Sequence, residues 1–330
     1  MMKTKPTGLA KTWREFKRPF KRLYQRFVEK RLCNESKKHG MPLERYRRQK
    51  QFLSELYVHQ DGRVNFPCLE INIVQGCNLN CSRCGHLSPH RKGFVPTEKI
   101  VHWFETWSKK IRPNKIRLLG GEPFLHPDLS KVLLETRRIW GDSVIHIVTN
   151  GLLIPQASQN VVDALKEAKI IVDISAPSDT DLSSEKVTAG CTRLKENGIT
   201  HHMIPSNRVR AVRHRWGENM NAPAPFHSSP KGAFACGTAC TCPSLMDNQL
   251  YKCEILQSVI KGVDEGTLSP SLWKDALTYR PLPPDVDANV ILEHFRTFAV
   301  QGCSICPDKV YIVSPRRLPN PLLQINKKIA

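Results

Sequence analysis

Three cysteines fall at short, uneven spacing in the run Cys77-Asn-Leu-Asn-Cys81-Ser-Arg-Cys84. Three thiolates on one loop can hold three irons of a [4Fe–4S] cluster, a centre that usually takes four cysteine ligands. No fourth cysteine lies close by, so one iron is left open to a small molecule. Two readings compete: a zinc site with His86 as fourth ligand, or three unrelated thiols. The loop ends an apolar run, Leu69-Glu-Ile-Asn-Ile-Val74, that reads as a buried strand.

The next apolar run, Lys115-Ile-Arg-Leu-Leu119, leads into Gly120-Gly121-Glu122-Pro123. Two glycines allow a backbone to pass close to a ligand. A carboxylate right after them can accept charge-assisted hydrogen bonds from an ammonium group. Standing alone, the tetrapeptide would be an ordinary turn. Two more strand-like runs end in polar residues: Val144-Ile-His-Ile-Val148 before Thr149-Asn150-Gly151, and Ile170-Ile-Val-Asp-Ile174 before Ser175.

Cys-x3-Cys-x2-Cys after a first strand, followed one unit later by Gly-Gly-Glu-Pro, resembles the signature of the radical S-adenosylmethionine (radical SAM) enzymes. The resemblance implies that Cys77, Cys81 and Cys84 hold a [4Fe–4S] cluster whose open iron is chelated by S-adenosylmethionine. It implies that Gly120, Gly121, Glu122 and Pro123 hold the amino group of that cofactor, and that Asn150 and Ser175 contribute polar contacts. It further implies electron transfer to the cofactor and hydrogen abstraction from an unknown substrate, of peptide or sugar type, with oxidation, epimerisation or another modification as outcome. The implied electron donor is a small flavodoxin- or ferredoxin-like protein. Arg83 stands where the family commonly has an aromatic residue, which leaves the adenine contact unassigned. No proton donor or acceptor is identified: His86 and His126 lie near the two loops, and structural or capping roles suit both.

Strand-like runs alternate with helical patterns at Thr97 to Lys110 (Ile100, Val101, Phe104 and Trp107 on one face), Leu129 to Trp140, Val161 to Ala168, and Glu185 to Asn197. Such alternation argues for parallel βαβ units, whose ligands gather at the carboxyl ends of the strands. A fifth strand falls near Ile199 to Ile204. The expected class is α/β, and the resemblance implies a partial (β/α)6 TIM-like barrel over residues 65–225. A basic helical arm precedes it at 1–64, and a small cysteine-rich module with the C-terminal tail follows at 226–330.

That module contains Cys236, Cys240, Cys242 and Cys253, then Cys303-Ser-Ile-Cys306. Asp247-Asn248 between apolar residues reads as a hairpin turn, because Asn tolerates positive φ. Cysteines flanking a hairpin and closed by a distant Cys-x2-Cys look like the auxiliary-cluster modules of radical SAM enzymes, of the SPASM or twitch type. One auxiliary iron–sulfur cluster is expected on Cys253, Cys303, Cys306 and one of Cys236, Cys240 and Cys242. A structural zinc ribbon is the alternative.

The chain carries a net charge of +20, and residues 1–50 hold 17 Lys or Arg against 4 Glu, so +13 of it lies there. Trp13, Phe16, Phe20, Leu23, Tyr24 and Phe27 recur at helical spacing opposite the basic residues, and Pro19 should kink this helix. It can dock on the barrel, lie on an anionic membrane surface, or meet nucleic acid or another acidic partner. No apolar stretch approaches the length of a membrane span. With 12 cysteines in 330 residues and no apolar leader, metal binding in a reducing, cytoplasmic setting is expected, with peripheral membrane contact through the arm. The second function class is a non-enzymatic zinc or iron–sulfur protein that binds nucleic acid or a membrane. It accounts for charge and cysteines but not for Gly120 to Pro123.

Overall fold

The computed structural model describes residues 27–38, 43–81, 84–175, 184–204, 243–297 and 300–305. Five parallel strands form its centre: β2 (Leu69–Val74), β4 (Lys115–Gly120), β5 (Val144–Thr149), β6 (Ile171–Ile174) and β7 (His201–Met203). They lie side by side in chain order. Between them run α2 (Thr97–Trp107), α3 (Leu129–Ile139), α4 (Gln159–Glu167) and α5 (Glu185–Glu196). Strands added always in one direction, through right-handed crossovers, place all four helices on one face. These are the parallel βαβ units expected from the alternation, in the α/β partial barrel that the resemblance implies.

Each strand divides its residues by parity. Leu69, Ile71, Ile73, Ile116, Leu118, Ile145, Ile147, Val172 and Ile174 are all fully buried in the continuous core beneath the helices. The alternate positions carry Glu70, Asn72, Arg117, His146 and Asp173 alongside Leu119, Val148 and Ile171, so a polar belt crosses the opposite, inner face. Helix α2 buries Ile100, Trp103, Phe104 and Trp107, positions that share one side of a 3.6-residue turn. Val101, expected on that face, is only half-buried, and Trp103 takes the inward place.

Two features were not read from the pattern. Strand β1 (Val64–Phe66) pairs with β3 (Ile111–Pro113) in a separate two-stranded ribbon. Strand β8 (Ser244–Met246) joins the main sheet parallel to β2, with Glu70 opposite Ser244, and β9 (Gln249–Tyr251) returns antiparallel to it. The cysteine-rich region thus extends the barrel sheet. The expected turn at Asp247-Asn248 is present, with φ of 49° and 58°, the two positive values that a tight two-residue hairpin requires. Trp107 Nε1 donates to the Asn248 carbonyl at 3.2 Å and ties this turn to α2.

After the hairpin come α6 (Glu254–Asp264) and α7 (Ala288–Arg296); α1 (Leu43–Glu55) lies near the other end of the chain. The nearly buried Arg91, just past the cysteine loop, makes a two-pronged ion pair with Glu265 at the end of α6, at 2.8 and 2.6 Å. Of the expected arm, Trp13 to Tyr24 lie outside the described residues, and Phe27 is exposed. No described helix is long and apolar enough to cross a membrane. Asn248→Val, which places a β-branched residue at positive φ, is expected to lower stability by about 1–2 kcal/mol, whereas Asn248→Gly leaves it nearly unchanged. Denaturant unfolding of the two variants checks this.

Candidate functional site

The cysteine loop begins at the carboxyl end of β2, and Gly120 to Pro123 close the neighbouring β4. Gly120 has φ of 142°, and a Cβ there would overlap the carbonyl oxygen of Val74. A Cβ on Gly121 would overlap the Gly76 carbonyl. Gly121 N–H donates to Val74 O at 2.8 Å, and Glu122 N–H to Gly76 O at 2.9 Å. The glycines are therefore required by the approach of two backbones to each other, a different reason from the ligand approach expected of them.

That contact drives Glu122 into the interior, where it is fully buried. Its Oε1 accepts from Thr149 Oγ1 at 2.7 Å and from Phe124 N–H at 3.1 Å, and its Oε2 accepts from Asn150 N–H at 2.8 Å. Two carboxylate oxygens offer about four acceptor sites, so one remains for a further donor. Asn150 Nδ2 donates to Asn78 Oδ1 at 2.7 Å and sits 3.9 Å from Cys77 Sγ. The ends of β4 and β5 and the cysteine loop are thus joined by one chain of polar contacts. Ser175 ends β6, its N–H donating to Thr149 O at 2.8 Å.

Cys77, Cys81 and Cys84 are half-buried thiols outside any disulfide. Burial pushes Cys77 up to about 12, and the charges of Glu122, Cys84 and Cys81 add to the rise. Burial also raises Cys84. The three thiols and the carboxylate therefore converge. His126 is fully engaged: Nε2 meets Val95 O at 2.8 Å and Nδ1 accepts from Asp128 N–H at 3.1 Å, which is the structural role. His86 pairs through Nδ1 with Glu254 at 2.9 Å. Burial opposes the charge of His86, but Glu254 outweighs it and raises its pKa.

These features are read together with a direct likeness. Residues 71–206 match the radical SAM superfamily. They are a radical SAM domain. The chain is 32% identical over 129 residues to GTP 3',8-cyclase from Clostridium acetobutylicum, covering 37% of this chain and 39% of that protein. It is 30% identical over 105 residues to molybdenum cofactor biosynthesis protein 1 from Homo sapiens, covering 29% and 16%. A solved structure of BtrN with AdoMet and 2-DOIA is similar at 14% identity and a TM-score of 0.42, over 77% of this chain and 98% of that one. The chain spans about two-fifths of the length of the GTP 3',8-cyclases it matches, 39% and 44% in two cases.

The cofactors of a radical SAM domain are a [4Fe–4S] cluster and S-adenosylmethionine, and the residues present fit them. Cys77 and Cys84 are held from ionising by burial, and for Cys77 also by the charges of Glu122 and the other two thiols, so a cationic cluster would satisfy this set.

The expected second cysteine set is only partly within view. Cys253 and Cys303, fifty residues apart in sequence, are both buried. Both lie near Tyr279, whose pKa is raised by burial and then by these two thiols among other charges. The Tyr279 hydroxyl accepts from Lys252 N–H at 2.7 Å and meets His294 Nε2 at 3.0 Å. Cys236, Cys240, Cys242 and Cys306 lie outside the described residues, as does Arg83.

The inner face of the barrel carries a belt that sequence reading missed. Glu70 stands opposite Arg117, and Arg117 opposite His146, on adjacent strands; farther round, Asp173 stands opposite His202. Glu70 and Arg117 form an ion pair. Asp173 accepts from His146 Nδ1 at 2.8 Å and meets His202 Nδ1 at 3.1 Å. Burial works against the charge on Asp173, but the two histidines and Arg117 outweigh it and hold its carboxyl below the usual range. The available signal was an isolated polar residue within each of several otherwise apolar parallel strands: Glu70, Arg117, His146 and Asp173.

Two outcomes are expected here. Gly121→Ala forces backbone against backbone and should lower stability by about 3 kcal/mol or more, seen as a lower melting temperature. Burial lifts the Glu122 carboxyl from its ordinary 4.5 to about 7. The folded, metal-free protein therefore binds more protons than the unfolded chain between these values, and its stability falls as pH rises through that window, by about 3 kcal/mol. Glu122→Gln should flatten this decline in urea unfolding at a series of pH values. An unchanged slope would show that other groups carry it.

Proposed function

We propose that the chain is a radical SAM enzyme whose substrate enters the polar inner face of the barrel. The observation that carries this reading is the convergence of three thiols and the buried Glu122 at adjacent strand ends. When bound, the cluster held by Cys77, Cys81 and Cys84 would supply the one-electron reduction of S-adenosylmethionine that allows hydrogen-atom abstraction from the substrate. The chain's own residues do the rest. Cys77, Cys81 and Cys84 hold three irons. Glu122 offers its spare acceptor site to the cofactor's ammonium group, and Asn150 and Ser175 line the next two strand ends. Gly120 and Gly121 keep the ends of β2 and β4 in contact. The helix-covered core excludes water from the other side of the sheet.

Two cysteine sets support one auxiliary iron–sulfur cluster, held by Cys253, Cys303, Cys306 and one of Cys236, Cys240 and Cys242. The burial of Cys253 and Cys303 against one tyrosine supports this reading. Such a cluster would accept an electron from the substrate or orient it. A small flavodoxin- or ferredoxin-like protein would supply the reducing electron. The excess charge of residues 1–50 supports contact with an anionic membrane surface.

The described inner face favours a peptide or sugar-type substrate. Its permanent charges are Glu70, Arg117 and Asp173, with Glu70 and Arg117 paired, and a triphosphate would need several cations at close range. GTP is the second reading, favoured by the likeness to GTP 3',8-cyclases.

The test is anaerobic reconstitution with dithionite and S-adenosylmethionine, followed by measurement of 5'-deoxyadenosine. Wild type should form it, and Cys77→Ala/Cys81→Ala/Cys84→Ala should form none. Equal yields from both proteins would overturn the assignment. Adding GTP separates the substrate readings: a rise in 5'-deoxyadenosine with GTP consumed supports the nucleotide, and no response supports the peptide or sugar class.

A further inference from the structure

The radical SAM reading uses the carboxyl ends of the strands and leaves the belt on the inner face without a task. Part of that belt has the composition of a metal site. His146, Asp173 and His202 come from three consecutive parallel strands, β5, β6 and β7. Each offers one ligand atom, and these atoms all lie within 4.8 Å of one another. Both histidines turn the same nitrogen, Nδ1, towards the two oxygens of one carboxylate, at 2.8 and 3.1 Å. Metal bonds of about 2.1 Å place neighbouring donors roughly 3 to 3.5 Å apart, so small side-chain adjustments would admit an ion between them.

We propose that His146, Asp173 and His202 form a binding site for a first-row divalent transition metal on the inner wall of the barrel.

Three arguments support the assignment. Two imidazoles and one carboxylate are a donor set suited to zinc, iron, cobalt or manganese, and ill suited to calcium or magnesium, which take oxygen ligands. The nearby cation, Arg117, is paired with Glu70, so its charge is offset on its other side. Third, the ligands differ in access: His146 is nearly buried and Asp173 mostly so, while the His202 side chain is 57% exposed. A metal held on the inner face of the sheet by three protein ligands keeps positions open away from the sheet, the arrangement typical of sites that bind water or a substrate oxygen. The chemical class it would take from a substrate is a hydroxyl or carboxylate oxygen. On binding, each Nδ1 gives its lone pair to the metal, and the imidazole proton moves to Nε2.

The test uses the full chain with its clusters reconstituted in the diamagnetic oxidised state, titrated with Mn2+. Manganese prefers nitrogen and oxygen donors to thiolates, so the cysteines do not obscure the count. Loss of the free-ion paramagnetic resonance signal gives stoichiometry and affinity, and pulsed measurement of 14N couplings identifies imidazole ligands. One Mn2+ per chain with two nitrogen couplings is expected. His202→Ala, a change at an exposed position, should weaken binding by more than about tenfold and remove one coupling, with iron and sulfide content unchanged. Asp173→Asn should weaken it similarly. Wild type without nitrogen coupling, or unchanged affinity in His202→Ala, would overturn the site and leave a carboxylate that merely hydrogen-bonds two histidines.

Discussion

The structure rests on two strand ends that touch with no space for a side chain between them. Gly120 and Gly121 lie directly against the backbone of Val74 to Gly76, and two backbone hydrogen bonds close the contact. Because no Cβ intervenes, Glu122 enters the interior rather than solvent. There it becomes the acceptor for donors from β5 and from its own turn. A buried carboxylate is costly unless its acceptor sites are filled. Its need for donors therefore fixes the ends of β4 and β5 relative to the cysteine loop, which Asn150 reaches through Asn78.

One sheet performs two tasks because strand parity separates them. The residues facing the helices are aliphatic and form a dry, close-packed wall. Those facing inward are charged or polar and would be expensive to bury singly. Pairing resolves the cost: Glu70 with Arg117, and Asp173 with two histidines. The same pairing keeps a polar belt on the inner face of the sheet.

The cysteine-rich region is mechanically continuous with the barrel. Strand β8 lies beside β2, Arg91 grips Glu265, and His86 pairs with Glu254, the residue after Cys253. The segment that leaves the first cysteine set thus packs directly on the helix that follows the second. A shift in either would be felt in the other, since both ion pairs are largely withdrawn from water on at least one side.

Local features were legible in the sequence. The three loop cysteines, the five main strands, the four crossover helices and the Asp247-Asn248 turn each depend on residues within about one element, through periodicity, spacing or a positive φ. For this reason the parallel βαβ class followed from the order of elements, and the cysteine and glycine motifs added the barrel. Other features depended on which distant residues become neighbours. The reason for the glycine pair appears only when β2 lies against β4. The burial of both Cys253 and Cys303 near Tyr279 requires the chain between them to fold back. Glu70, Arg117, His146, Asp173 and His202 read singly as polar interruptions of apolar strands. Strand order and register turn them into one belt, because register sets which side chains share a level and no local pattern records it.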